Sequence, residues 1–217
     1  MSQHSKALAV LALGVAIVVA GLVLTRHVIA VAGEADVERL NRSILAYVAE
    51  LNPQAPIKAF QQFPQALVNE AQKTAVDHCL ILAQAEVESQ LRHDAVGSAG
   101  EIGVFQVLPS TAAMFEPQLG PFKRPVLAKG QRDLGDLADP IVSTKFAMAY
   151  LRDIRTRKST IKDALTEYNG GPAGRHPHYY RIVMGTYVEV LERADLRCRF
   201  RSTTPKEAPI RTLLTRA

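Results

Sequence analysis

The sequence predicts an almost wholly α-helical domain carried behind an N-terminal transmembrane helix. Three observations support this. Ala7 to Leu24 is an unbroken run of 18 apolar or glycine positions, apolar residues recur at helical spacing from Ala66 onward, and no segment shows the two-residue alternation of a half-buried strand. Length and composition suit one domain with appendages. A chain of 217 residues, 47% hydrophobic and 22% charged, can bury a core and is too ordinary in composition to be disordered.

As a helix the first run spans about 27 Å at ~1.5 Å per residue, just enough to cross a bilayer. Ala30-Val31-Ala32 has the small-x-small form of a signal-peptide cleavage site, so removal of this segment is the alternative. The run exceeds the usual ~7–15-residue hydrophobic stretch of a signal peptide, which favours an uncleaved anchor over residues 1–32. Lys6 precedes the run and Arg26 comes after it, so flanking charge does not orient it.

Val37, Leu40, Ile44, Leu45, Val48 and Leu51 keep helical spacing until Asn52-Pro53, and Pro56 and Pro64 interrupt the next dozen residues. Residues 33–65 therefore read as a partly helical spacer, or equally as a first helix packed on the domain. From Ala66, one apolar stripe runs through Val68, Ala71, Ala75, Val76, Cys79, Leu80, Ala83 and Val87 and predicts a single core helix. Glu88 falls at the margin of that stripe, beside Ile81, Gln84 and Ala85, where apolar neighbours would favour its protonated form. Glu86 should point elsewhere, into solvent.

After Glu88-Ser89 comes a polar hinge through His93 and Asp94, then Ser98, Gly100, Glu101, Gly103 and Gln106, before Pro109-Ser110 opens another helix. A carboxylate on a rigid element facing a glycine-marked loop builds a cleft for a bulky polar ligand such as a sugar chain. The segment from Phe115 to Leu137 reads as a long loop. Asp139-Pro140 starts the next helix, with Asp as cap and Pro at the first position. Ile161 to Tyr168 forms one more, closed by Asn169-Gly170-Gly171-Pro172, and Tyr179 to Leu196 the last. Tyr179, Tyr180 and Tyr187 supply aromatic faces there. The domain spans 66–196. Beyond it, 197–217 is a basic tail whose six basic residues against Glu207 account for the whole formal net charge of +5. Such a tail suits an anionic wall, a membrane surface or nucleic acid. With a charge-balanced body it reads first as a solvated segment, and no nucleic-acid partner is expected.

Other chemistries find little in the chain. His78 and His93 flank the acid, but there is no His-x-x-x-His, no cysteine pair at zinc spacing, no phosphate-binding loop and no nucleophile elbow at Ser110. No metal and no cofactor is expected. Cys79 and Cys198 make an even count, which permits a bond in an exported domain; two unpaired buried thiols are the alternative.

Three ordered motifs resemble those of the soluble lytic transglycosylases, lysozyme-like enzymes that cut peptidoglycan. They are Glu88-Ser89; Ser98-x-Gly100-x-x-Gly103-x-x-Gln106 with Pro109-Ser110-Thr111-Ala112; and Ala164-Leu165-x-x-Tyr168-Asn169-Gly170-Gly171-Pro172. The Asp139-Pro140 helix with Ala147-Met148-Ala149-Tyr150-Leu151 and the pair Tyr187-Val188 also resemble family motifs. The resemblance covers about 72–196 and implies a lysozyme-like fold. It further implies cleavage of the bond between MurNAc and GlcNAc with closure of a 1,6-anhydro ring, Glu88 serving as acid and then as base.

By the same resemblance Ser89, Ser98, Gln106, Tyr168, Asn169 and Tyr187 are candidate substrate contacts, with Tyr168 beside the acid. Each also has a plain structural reading. Ser98 and Gln106 suit bonds to their own loop, Asn169 suits a helix cap, and Tyr187 suits the core. Glu101 stands where many members carry a small residue, and reads as structural or solvent-facing rather than catalytic. The rival functions are a muramidase that admits water, and a non-catalytic wall-binding or assembly scaffold. The expected setting is the bacterial inner membrane with the domain in the periplasm; the alternatives are a secreted or a virion-associated protein. The partners expected are glycan strands, the membrane, and a secretion, conjugation or phage-entry apparatus.

Overall fold

The computed structural model describes residues 33–126, 133–174 and 177–198. The chain divides into two compact units, 1–42 and 43–217. In the first, residues 33–42 are helical and carry the exposed pairs Arg39–Asp36 (3.6 Å) and Arg42–Glu38 (3.2 Å). The expected transmembrane run, the small-x-small site and the tail from residue 199 lie outside the described residues. Among the described residues no helix is long and apolar enough to cross a membrane.

Among its described residues the second unit builds its regular elements from helices, as the periodicity predicts, with only isolated β-bridges between them. It opens with a helical stretch over 43–51 (α1), whose Ile44, Tyr47 and Val48 are buried. Residues 43–65 belong to this unit by their contacts. Then come α2 (Ile57–Phe60), α3 (Phe63–Thr74) and α4 (His78–Ser89). Phe60 and Phe63 meet edge to face at 5.5 Å and are fully buried. Each such side chain contributes about 1.5–3 kcal/mol through burial.

The expected single helix from 66 to 87 is two. Ala75 adopts the left-handed conformation (φ 54°, ψ 42°), and the Asp77 carboxylate accepts from the Cys79 amide as the N-cap of α4. The apolar stripe passes through this break without a gap, so periodicity hides it. Helix α4 is buried nearly all round, from Cys79 to Ala85, as expected of a helix sheathed by others. It packs against both α3 and α9.

Beyond the loop after α4 lie α5 (Pro109–Ala113) and α6 (Glu116–Leu119), so the stretch expected to be loop begins with a helical turn. Val126 and Asp133 pair as an antiparallel bridge across its mouth. A 3₁₀ turn (Gly135–Ala138) leads into α7 (Pro140–Arg157), capped by Asp139 through the amides of Ile141 and Val142. Helices α8 (Ile161–Gly170) and α9 (Pro177–Leu191) and a 3₁₀ turn (Ala194–Leu196) complete the unit. Helix α7 lies on α3 and α8, and α8 also on α9.

Two buried carboxylates tie the frame together. Glu70 of α3 is 3% exposed and receives Arg152 of α7 at 2.5 Å and Lys73 at 2.6 Å. Glu167 of α8 is equally buried and receives Arg157 at 2.5 Å, with Lys158 at 3.4 Å. A disulfide joins Cys79 to Cys198, with their Cα atoms 5.5 Å apart across a sequence separation of 119. Of the two readings left open for these cysteines, the bonded one describes the structure.

Candidate active site

Glu88 occupies the last turn of α4, and Gln90 ends the helix in the left-handed conformation (φ 55°). The carboxylate is largely shielded from water. Burial is the main cause that lifts its pKa from 4.5 to about 7; a hydrogen bond from Tyr179 pulls it back, and the negative charge of Glu101 pushes it further up. The negative end of the α4 dipole lies at the same turn and acts in the same direction as burial. Glu88 thus holds a proton through much of the neutral range and can still release it.

The loop after α4 forms the facing wall. Ile102 pairs both with Val96 and with Val107, its amide and carbonyl each bonded at 3.0 Å to Val107. Val104 and Phe105 are fully buried and anchor the loop. Gly103 (φ +80°) permits its closest contact: a Cβ there would lie 2.2 Å from the carbonyl oxygen of Leu137. The cleft so formed, about 640 Å³ in volume, is lined by Glu88, Ser98, Glu101, Gln106, Tyr150, Tyr168 and Asn169, among others. Tyr150 and Tyr168 lie with ring centroids 5.4 Å apart, and Phe115 continues this aromatic row at 6.2 Å from Tyr150. Aromatic faces beside polar loop groups fit the alternating apolar faces and hydroxyls of a sugar chain.

Five of the sequence candidates, Glu88, Ser98, Gln106, Tyr168 and Asn169, therefore line one cleft. Ser98 and Asn169 are exposed at it. Gln106 turns its amide nitrogen to the carbonyls of Gly103 (3.0 Å) and Ala95 (3.3 Å), satisfying its own loop. Two candidates are elsewhere. Ser89 is 4% exposed, and its hydroxyl donates to the Val104 carbonyl at 2.9 Å, which clips the loop to α4. Tyr187 is 4% exposed and donates at 2.7 Å to Asp77, the cap at the opposite end of α4 from Glu88. Both side chains are committed to the scaffold and do not reach the cleft.

The tyrosine that bonds the acid is not Tyr168. Its hydroxyl donates to the Phe105 carbonyl at 3.0 Å, whereas Tyr179 of α9 donates to Glu88 Oε1 at 2.5 Å. Burial and the neighbouring Glu88 hold the Tyr179 hydroxyl well above its ordinary pKa, so it stays a donor. The sequence marks Tyr179 only as an aromatic face, because nothing in local spacing reveals a partner 91 residues away. Glu86 also departs from expectation. It is half-buried and accepts a hydrogen bond from Tyr47 of α1, and burial raises its pKa. Asp77, His78 and Cys79 cluster closely, but the Cys79 sulfur is in the disulfide and is not a thiolate that could bind metal.

Residues 65–178 match the family model for the transglycosylase SLT domain. A search of the curated proteins finds none that matches. Among solved structures, the fold resembles an inactive mutant of lytic transglycosylase Slt from Pseudomonas aeruginosa at 21% identity, over 66% of this chain and 26% of that one, with a TM-score of 0.48. It also resembles the 70 kDa soluble lytic transglycosylase Slt70 from Escherichia coli at 18% identity, over 73% and 27%, with a TM-score of 0.44. The chain thus spans about a quarter of the length of these two proteins. The matched region takes in more than half of the chain, including α4 with Glu88, the glycine-marked loop and the Tyr168-Asn169 turn, and the chain belongs to the transglycosylase SLT domain family.

Proposed function

We propose that this protein is a peptidoglycan lytic transglycosylase that cleaves the β-1,4 bond between MurNAc and GlcNAc. The observation that carries the proposal is a largely buried Glu88 with a pKa near 7, set in the wall of a cleft of about 640 Å³. Breaking the bond needs an acid to protonate the bridging oxygen and negative charge to stabilise the oxocarbenium-like centre left behind. Protonated Glu88 delivers its proton to the leaving oxygen and becomes a carboxylate, which Tyr179 steadies with its hydroxyl hydrogen. The same carboxylate then takes the proton from the MurNAc 6-hydroxyl, whose oxygen closes on C1 to form the 1,6-anhydro ring. Glu88 ends the cycle protonated.

The disulfide between Cys79 and Cys198 supports a domain that matures in an oxidising compartment, as expected for an enzyme facing the wall. On this reading the apolar run Ala7–Leu24 holds the protein at the inner membrane and the catalytic unit works in the periplasm. The test is Glu88→Gln, which keeps the shape of the side chain but exchanges no proton. Acid–base work typically contributes ~10²–10⁴-fold, and one residue serves both steps here, so loss of cleavage of purified sacculi should reach the upper end. Mass spectrometry of wild-type products should show anhydro-muropeptides, lighter by one water than hydrolysis products. Reducing ends alone would replace the transglycosylase with a muramidase. Wild-type binding without release of fragments would replace it with a scaffold.

A further inference from the structure

We propose that Glu101 is a second working carboxylate of this cleft: its negative charge, held in place by the loop, stabilises the cationic sugar ring formed as the glycosidic bond breaks. The proposal rests on the reading of Glu88 as the proton donor. Glu101 lines the same cavity as Glu88, and its position is built rather than incidental. Its main-chain carbonyl accepts from the Gly97 amide at 2.8 Å, and its Oε2 accepts from the Ala99 amide at 3.0 Å. The side chain is folded back over Gly97, where a Cβ would lie 2.2 Å from Oε2. The absence of a side chain at residue 97 is thus what gives the carboxylate its place.

The Ala99 amide engages Oε2, and the residue stays partly exposed, so a ligand in the cleft can approach the carboxylate. A charge already held at the cleft needs no rearrangement when the sugar becomes cationic. Two carboxylates in one site are also what cleavage of glycosidic bonds most often employs. The groups facing Glu88 are Tyr179 from α9, Tyr168 from α8 and Glu101 from the loop. Both tyrosines are neutral donors, so among these three groups Glu101 supplies the negative charge.

The test compares Glu101→Gln, Glu101→Asp and Gly97→Ala in the full chain, following release of anhydro-muropeptides from soluble glycan strands between pH 5 and pH 9. Glu101→Gln keeps an oxygen for the Ala99 amide and removes only the charge. Its kcat should fall about tenfold, less than the ~10²–10³ lost with a donor in direct contact, while KM changes little. The alkaline limb should move to lower pH, because Glu88 then loses its proton more easily. Gly97→Ala keeps a main chain that alanine tolerates but displaces the carboxylate, together with the Gln106 side-chain oxygen 2.8 Å from the added Cβ, and should move the limb the same way. Glu101→Asp keeps the charge and should leave the limb near its wild-type position. The proposal is overturned if the Glu101→Gln profile superimposes on wild type with kcat unchanged. It is also overturned if activity falls only in step with loss of folded protein and the limb stays in place. If instead Glu88→Gln still cleaves, it is the assignment of the acid that fails.

Discussion

Tyr179 donates a 2.5 Å hydrogen bond to Glu88, joining the start of α9 to the end of α4. The bond favours the carboxylate over the acid. Tyr179→Phe should therefore raise the pKa of Glu88 further and move the alkaline limb of the activity profile to higher pH, opposite in direction to Glu101→Gln. A hydrogen bond to a charged group is worth about 1.5–3 kcal/mol, so kcat should fall roughly tenfold to a hundredfold as Glu88 becomes a poorer base and a less well-held acid. An unshifted limb would mean that Tyr179 only packs against the acid.

Glu88 should also weaken the fold it serves. Its pKa is 4.5 in an unfolded chain and about 7 in the structure, so between these values the folded state binds more protons than the unfolded state. Stability must then fall as pH rises from about 4.5 to about 7 and level off above, a difference of roughly 3 kcal/mol. Glu88→Gln removes the ionisable group. It should be more stable than wild type in urea at pH 8 and nearly equal to it at pH 4; a difference that does not depend on pH would show that folding does not raise the Glu88 pKa.

Much of this site could be read in the sequence because its parts are local. Glu88, the Ser98–Gln106 loop and the Tyr168-Asn169 turn are short patterns with their own spacing, and they lie around one cleft. What escaped were pairings across long stretches of chain. Nothing near Tyr179 or Tyr187 announces Glu88 or Asp77 as its partner, and nothing near Glu86 points to Tyr47. The break between α3 and α4 escaped for a different reason: the left-handed residue is an alanine, which carries no turn signal of its own. Glu101 was legible as a residue but not as a place, since only the fold shows that its carboxylate shares the cavity of the acid.

The buried charge on Glu70 makes a prediction about the frame. Arg152→Leu would leave that carboxylate with Lys73 alone, whose side chain is mostly exposed. Removing one partner of a buried ion pair typically costs about 3–5 kcal/mol, so the melting temperature should drop well below wild type. The double variant Arg152→Leu with Glu70→Leu, which buries no charge, should recover much of that loss. A double variant as unstable as the single would assign the effect to packing of the arginine stem instead.

Reduction offers a separate measure. The loop closed by Cys79 and Cys198 spans 119 positions, and in the chain-entropy view a loop of that length contributes about 4–5 kcal/mol by restricting the unfolded chain. Replacing both cysteines with alanine should lower stability by up to this amount while leaving the pH profile of the folded fraction unchanged. A displaced profile would mean that the bond also sets the position of Glu88.

Tyr187 and the disulfide hold the N-terminal end of α4, as does His78, whose Nε2 lies 2.9 Å from the Leu196 carbonyl. Cys79 and Glu88 are nine residues apart on that helix, about 13 Å along its axis. Residue 198 is thus moored at the end of α4 remote from Glu88. An affinity handle, a fluorophore or a sensor-chip linkage placed directly after Cys198 would begin at the end of α4 away from Glu88, leaving the cleft free of the attachment.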